Sequence, residues 1–304
     1  NIGTRGSPLA LAQAYETRAR LAKAFDLPLD AFEIVVIMTT GDRITDRPLK
    51  EIGGKGLFTR EIEQAMLDGS VDIAVHSMKD MPVQQPEGLV LDTYLPREDV
   101  RDAFISLSGG ALRDLSPGTV VGTSSLRRQA QLKLQRPDLQ VVEFRGNLQT
   151  RLKKLENQVA EATFLAMAGL KRLKMDEVPR HAIEVDDMLP AVAQGAIGIE
   201  RRINDMRMAD MLAAIHDHET GQRLAAERAF LAALDGSCET PIAGLSELQG
   251  STMRLRGEVL RPDGSDAIQD DMIVPIEDGA QAGQEMAAKL LERAGEGFFD
   301  WRES

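Results

Sequence analysis

The sequence predicts a mostly parallel α/β fold in two sheet-bearing units, followed by a small α+β unit. Three observations carry that expectation. Short apolar runs alternate with stretches of helical period through the first two-thirds of the chain. Serine-bearing helix starts follow strand-like runs, as in β–α connections. And 304 residues exceed one ordinary core, so two or three domains are expected.

Ile2 to Arg5 reads as the end of a strand entering a loop. Ser7-Pro8 starts a helix, with serine as N-cap and proline at the first helical position, running to about Phe25. Phe32 to Met38 is a strand ending in Thr39-Thr40-Gly41-Asp42. The polar stretch from Arg43 to Gly56 has no apolar period and reads as a mobile loop. Leu57 to Leu67 is helical and Ile73-Ala74-Val75 a short buried strand.

A second set begins near Asp102. Val120-Val121-Gly122 is a strand, Thr123-Ser124-Ser125 a cap cluster, and Leu126 to Gln135 a helix. Leu139 to Phe144 is the next strand, Arg145-Gly146-Asn147 a turn, and Leu148 to Glu156 a helix. Ala196 to Glu200 follows Gln194-Gly195 as a further strand, and a helix spans Thr220 to Leu234. The final unit has strands near Met253–Val259 and Ala267–Val274 and a helix from about Gly279 to Arg293.

Composition narrows the function classes. At 43% hydrophobic and 4% aromatic residues the cores are aliphatic, and no apolar run reaches membrane-spanning length. A net charge of −12 argues against general nucleic-acid binding, which needs a broad basic surface. The single cysteine, Cys238, forms neither an intramolecular disulfide nor a multi-cysteine metal site. It is a packed thiol, an incidental surface thiol, or a residue kept for its sulfur chemistry. Its setting, between Gly236-Ser237 and Pro241, is turn-like and near solvent. A reducing cytoplasm fits, and little at the start of the chain suggests a secretory signal.

The arginines are clustered. In Thr123-Ser124-Ser125-Leu126-Arg127-Arg128 three hydroxyls and two guanidinium groups meet at a helix start. Free N–H groups and the helix dipole favour anions there, and first-turn arginines oppose the dipole unless an anion is present. An ordinary cap on a solvated face is the competing reading. Arg145 and Arg151 follow the next strand near the same sheet edge, and Arg5 and Ser7 take the equivalent place in the first unit. Two such sites facing each other suggest a cleft for a ligand with several anionic groups.

His76-Ser77-Met78-Lys79-Asp80 follows directly on a strand, where α/β proteins keep their chemistry. Asp80 beside a cation suits the stabilisation of developing positive charge or proton transfer. A surface Lys79–Asp80 pair of little energetic value fits that segment equally. His76 reads as packed or hydrogen-bonded. His216 and His218, two apart on an expected helix, point to different sides and make a poor metal pair, so no metal is expected. Gly53-Gly54-Lys55-Gly56 lacks the spacing of a phosphate loop but suits a hinged lid carrying Lys55 toward an anionic site.

Taken in order, these segments resemble the porphobilinogen deaminase (hydroxymethylbilane synthase) family. The matching stretches include Thr4–Ala10, Gly53–Phe58, Asp72–Asp80, Gly122–Arg128, Arg145–Asn147, Gly169–Leu173, Gln194–Ala196 and the cysteine turn with Pro241-Ile242. The resemblance implies a transferase that condenses four porphobilinogen molecules head to tail into a linear tetrapyrrole, releasing ammonia at each step. It implies a dipyrromethane cofactor held by a thioether to Cys238. Asp80 takes the place of the catalytic aspartate, stabilising the azafulvene cation and moving protons on the pyrrole. Lys79, Asp80, Thr123, Ser125, Arg127, Arg128, Arg145 and Gly146 fall on cofactor-contact positions. Arg5, Ser7, Lys55, Phe58, Arg145, Arg151, Arg172 and Gln194 fall on substrate-contact positions.

The resemblance further implies three domains, the first two like a type II periplasmic binding protein and the third a small α+β domain carrying the cysteine. Their bounds would be 1–95 plus 196–214, 101–190 and 218–304. It implies porphobilinogen as the partner; one cysteine suits the cytoplasm, charge and hydropathy argue against nucleic acid and membrane, and nothing demands more than a monomer. Three positions depart from the family pattern: Ser237, Glu239 and Glu51, the last beside Lys50. Two other classes compete: a non-enzymatic anion-binding protein built on the first two units, and a cysteine hydrolase, for which the turn offers no histidine.

Overall fold

In a computed structural model, residues 1–43, 56–235 and 240–302 are described. The expected loop over Arg43–Gly56 and the cysteine turn lie largely outside them. Elements are numbered here in chain order.

Strand β1 (Ile2–Thr4) is fully buried, and Ser7 caps α1 (Pro8–Phe25) by accepting from Ala10 N at 3.3 Å. Helix α1 ends where Asp26 turns left-handed, at φ 51°, and donates its N–H to Ala22 O. The strand expected over Phe32–Met38 shortens to β2 (Ile34–Val36), because only those residues pair with β1. Next come a short helix, α2 (Thr40–Arg43), then α3 (Arg60–Leu67) and β3 (Ile73–Ser77). The helix expected from Leu57 starts three residues later, since 56–59 form a turn.

The first sheet is completed by β4 (Leu89–Tyr94) and by the distant β10 (Ile197–Arg202), in the order β2-β1-β3-β10-β4. Strands β2, β1 and β3 are parallel, and β10 runs antiparallel to both neighbours. The second sheet repeats the pattern. Its strands are β5 (Asp102–Ser106), β6 (Val120–Gly122), β7 (Gln140–Val142), β8 (Ala162–Ala166) and β9 (His181–Ala182), in the order β7-β6-β8-β5-β9. Here β7, β6 and β8 are parallel and β5 is the antiparallel member.

Each sheet therefore receives one antiparallel strand from a segment that crosses from the other: β5 after the first crossing, β10 after the second. The strand expected over Ala196–Glu200 is this returning β10. Helices α4 (Leu126–Gln135), α5 (Leu148–Glu156) and α6 (Met167–Arg172) follow β6, β7 and β8.

After α7 (Met206–Ala213) and α8 (His218–Ala233) the chain forms a three-stranded antiparallel meander, β11 (Ile242–Gln249), β12 (Thr252–Leu260) and β13 (Ala267–Pro275), with α9 (Gly279–Ala294). Phe230 of α8 is completely buried in this core, worth about 1.5–3 kcal/mol. The same core takes in Met78, Met81 and Leu91 of the first unit and Val192, Ala193 and Ala196 of the second crossing. The third unit is thus packed on the strands that bear the first unit's chemistry.

One expectation is corrected. His216 and His218 do not diverge on one helix: His216 precedes the cap residue Asp217, and the two rings meet edge to face at 4.8 Å. His216 Nδ1 accepts from Tyr94 N at 3.1 Å.

Candidate active site

The strand ends of the first two sheets bring most of the expected residues to one cleft. Asp80 closes the short turn that follows β3 and is exposed, while Lys79 beside it is half-buried. Neither side chain makes a hydrogen bond or ion pair among the described residues. Burial lowers the Lys79 ammonium to about 8, with Arg128 and Arg151 adding to the effect and Asp80 and Asp102 opposing it. Burial, with Arg128, likewise lowers Arg151 to about 10 against the pull of Asp80 and Glu143. Residues of the first unit and the second therefore feel one another's charge across the cleft.

Arg127 and Arg128 are turned inward. Both are 4% exposed and share Asp102, which opens β5 and is itself fully buried. Arg127 Nη1 donates to Asp102 Oδ2 at 2.7 Å, to Gln131 Oε1 at 2.9 Å and to Leu189 O at 3.1 Å. Arg128 uses all three nitrogens: Nε and Nη2 bond Asp102 Oδ1 at 3.1 and 2.7 Å, and Nη1 bonds Phe164 O at 3.0 Å. Burial would raise the Asp102 carboxyl, but Arg127 and Arg128 outweigh it and hold it far below the usual carboxylate range.

The anion that relieves these first-turn arginines is thus a residue of the protein. Asp102 was missed in the sequence; its one signal is an acidic residue opening an otherwise apolar strand. All three bonds of Arg127 leave from Nη1, and its buried Nε has no partner among the described residues. That leaves an edge of the guanidinium fit for a carboxylate.

The rest of the helix start is built around this pair. Ser125 caps α4 by accepting from Arg128 N at 3.4 Å, and Thr123 Oγ1 accepts from Ser125 N at 3.2 Å. Ser124 is turned to Phe144 N at 2.9 Å. On the neighbouring strand end, Arg145 is half-buried and its carbonyl accepts from Lys154 Nζ at 2.9 Å. Gly146 has φ +122°, and a Cβ there would lie 2.6 Å from Thr150 Cγ2, so only glycine fits. Its carbonyl accepts from Arg151 Nε at 2.9 Å, aiming that guanidinium.

On the first unit, Arg5 is bound to Asp42 through Nε at 3.2 Å and Nη2 at 2.5 Å and stacks 4.2 Å over Phe58. Burial would raise Asp42, but the Arg5 and Thr39 hydrogen bonds hold it below its ordinary value. Arg5, Ser7, Phe58 and Asp80 line one pocket. His76 is buried and meets Glu200 at 3.1 Å.

Gln194 and Arg172 sit at the crossings. Gln194 Nε2 donates to Val100 O at 2.8 Å and to Asp102 Oδ1 at 3.2 Å, and its buried Oε1 has no partner among the described residues. Arg172 donates to Gly195 O at 2.9 Å and approaches Glu16 of α1 at 3.7 Å. Burial lowers its guanidinium. Lys55 and Cys238, like Lys50, Glu51, Ser237 and Glu239, lie outside the described residues. No group of three or more His, Cys, Asp or Glu side chains among the described residues is placed to hold a metal. Nor is any described helix long and apolar enough to cross a membrane.

The chain is similar to known proteins over nearly its whole length. The family model "Porphobilinogen deaminase, dipyromethane cofactor binding domain" matches residues 1–210, and "Porphobilinogen deaminase, C-terminal domain" matches residues 222–292. Porphobilinogen deaminase of Paracoccus denitrificans (strain Pd 1222) is 67% identical over 300 residues, covering 99% of this chain and 96% of that protein. The chloroplastic porphobilinogen deaminase of Pisum sativum is 54% identical over 305 residues, covering 98% and 83%. Among solved structures, the GluR0 ligand-binding core with L-glutamate is 12% identical over 70% of this chain and 89% of its own. Its TM-score is only 0.42, too slight a likeness to build on.

Proposed function

Since the chain belongs to the porphobilinogen deaminase family, we propose that Asp80 is its catalytic carboxylate, working in the cleft between the first two units. The enzyme condenses four porphobilinogen molecules head to tail into hydroxymethylbilane, releasing ammonia at each step. The observation that carries the residue assignment is the charge balance of the cleft. Lys79, Arg127, Arg128 and Arg151 outnumber Asp80 and Asp102, and burial lowers Lys79 and Arg151 more than the nearby carboxylates raise them.

Such a cleft fits a dipyrromethane, whose pyrroles carry acetate and propionate groups. The orphaned Nε of Arg127 and the depressed Lys79 and Arg151 are the groups that gain most from added carboxylates. Bound through Cys238, a dipyrromethane would supply the carbon to which the first substrate is joined. Lys79, Thr123, Ser125, Arg127, Arg128, Arg145 and Gly146 hold it. In this group Arg128 acts by fixing Asp102 and hence Arg127, because its own nitrogens are all engaged.

Arg5, Ser7, Phe58, Arg151, Arg172 and Gln194, with Lys55, receive substrate carboxylates and orient the ring. When the aminomethyl C–N bond of porphobilinogen breaks, ammonia leaves with the electron pair and the ring is left cationic. Asp80 stabilises that cation through the pyrrole N–H and later takes the proton lost as the ring regains aromaticity. Its carboxylate needs no internal bond broken first.

The reading extends to three domains, 1–95 plus 196–214, 101–190 and 218–304, supported by the three sheets and two crossings. It extends also to a cytoplasmic monomer with no nucleic-acid or membrane partner, supported by one cysteine and a charge of −12. The test of the central assignment is Asp80→Asn, which keeps volume and removes charge. Turnover is expected to fall by about 10²-fold or more with an unchanged melting temperature. Near-normal turnover would contradict the role.

A further inference from the structure

We propose that Glu258 and Gln131 are positioning residues for Arg127, so that the third unit sets the direction in which that arginine faces the cleft. Gln131 lies one turn after Arg127 on α4 and is 3% exposed. Its Oε1 accepts from Arg127 Nη1 at 2.9 Å, while its Nε2 donates to Glu258 Oε2 at 2.7 Å and to Leu189 O at 3.0 Å. Glu258, also 3% exposed, stands in the middle strand β12 of the third sheet, and its other oxygen accepts from Gln269 Nε2 at 2.6 Å.

The direction of this chain of bonds is forced. A guanidinium only donates, so the carbonyl of Gln131 must face Arg127 and its amide NH₂ must face Glu258. The reverse orientation would set NH₂ against Arg127. Glu258 thereby holds Gln131 Oε1 toward Arg127 Nη1, as a third acceptor beside Asp102 Oδ2 and Leu189 O. With that nitrogen saturated, the unpartnered Nε edge is the one left for a ligand.

Around this contact lies a polar cleft of about 580 Å³ lined by Asp186, Asp187, Arg254, Arg256 and Asp271, which the Arg256–Asp186 ion pair crosses at 2.6 Å. By contrast, the third unit shares an apolar core with Met78, Met81 and the second crossing. The Gln131–Glu258 bond is therefore a point where the third unit, packed on the Asp80 side, grips the arginine side.

The proposal rests on Arg127 receiving a carboxylate of the dipyrromethane, whose placement sets where incoming porphobilinogen binds, and the test separates the two claims. Holoenzymes of Glu258→Gln, Gln131→Glu, their double variant and Arg127→Gln are compared for KM, kcat and melting temperature. Glu258→Gln keeps an acceptor for the Gln131 amide but removes its charge, so the hold on Gln131 and Arg127 loosens and KM for porphobilinogen is expected to rise about tenfold, the scale of one charge-assisted hydrogen bond. The kcat should stay within about twofold, because binding rather than the transition state is affected. Gln131→Glu alone sets two carboxylates together and should raise KM and lower the melting temperature. Combined, the two substitutions restore an acceptor for Arg127 and a donor for it in turn, and KM should recover.

An unchanged KM in Glu258→Gln, or a double variant no better than its parents, would overturn the relay. So would a loss of melting temperature in Glu258→Gln with KM unmoved. If Arg127→Gln itself leaves KM unchanged, the site reading fails instead. The relay is then judged by a crystal structure of Glu258→Gln, where an unmoved Arg127 and Gln131 would refute it.

Discussion

Replacing Asp102 by asparagine removes the charge that two buried guanidinium groups share while keeping the side chain's volume. In the wild type, Oδ2 holds Arg127 and Oδ1 holds Arg128 twice and Gln194 once, with no solvent at the carboxylate. Asparagine keeps one acceptor oxygen and turns an NH₂ toward whichever arginine the oxygen leaves. Two cations then remain buried without a counter-charge, and breaking such a pair costs about 3–5 kcal/mol. That is a large part of the roughly 5–15 kcal/mol that holds a typical protein folded. The variant should unfold at lower urea, with an unchanged slope for the transition that includes the second unit.

The pH dependence sharpens this test. The folded Asp102 is held well below its unfolded value, so its contribution is fully present above an unfolded pKa of about 3.9 and fades as pH falls through the folded value. The stability gap between wild type and Asp102→Asn should therefore be constant near neutrality and narrow only in strong acid. A loss below about 1 kcal/mol would put Asp102 in the class of surface pairs and refute the reasoning. A gap that widened in acid would do the same.

Two further outcomes are expected. With no dipyrromethane in the cleft the Lys79 ammonium stands at about 8, cationic below that pH and neutral above, so loading of wild-type apoenzyme by porphobilinogen, relative to Lys79→Arg, should fall as pH passes 8. A ratio constant from pH 7 to 9, read by intact mass, would contradict the assignment. Gly195 lies at φ +85° in the second crossing, where an added Cβ would stand 2.5 Å from Glu98 O. Gly195→Ala should cost at least about 1–3 kcal/mol, seen as a lower melting temperature, and a wild-type melting point would show the crossing to be pliable.

Much of this was legible along the chain because it is local. Ser7 and Ser125 cap the helices where side-chain chemistry demands, and Gly146 occupies a backbone conformation that its turn signal announced. What could not be read is non-local. Strands β4, β8 and β11 are short or interrupted apolar runs whose type is decided by their sheet neighbours. The two crossings follow from pairing between residues about a hundred positions apart, as in β3 with β10. For the same reason Asp102 escaped notice: its meaning comes from Arg127 and Arg128, more than twenty residues away. Those arginines were read as facing a ligand, and only packing reveals that every nitrogen of Arg128 bonds inside the protein while Arg127, among the described residues, bonds through Nη1 alone.

The account stands most directly on what Cys238 carries. The intact mass of the purified, denatured chain should exceed the sequence mass by two porphobilinogens less two ammonias. The same measurement on Cys238→Ser should show no excess. An unmodified wild-type chain that remains unmodified after incubation with porphobilinogen would contradict the account.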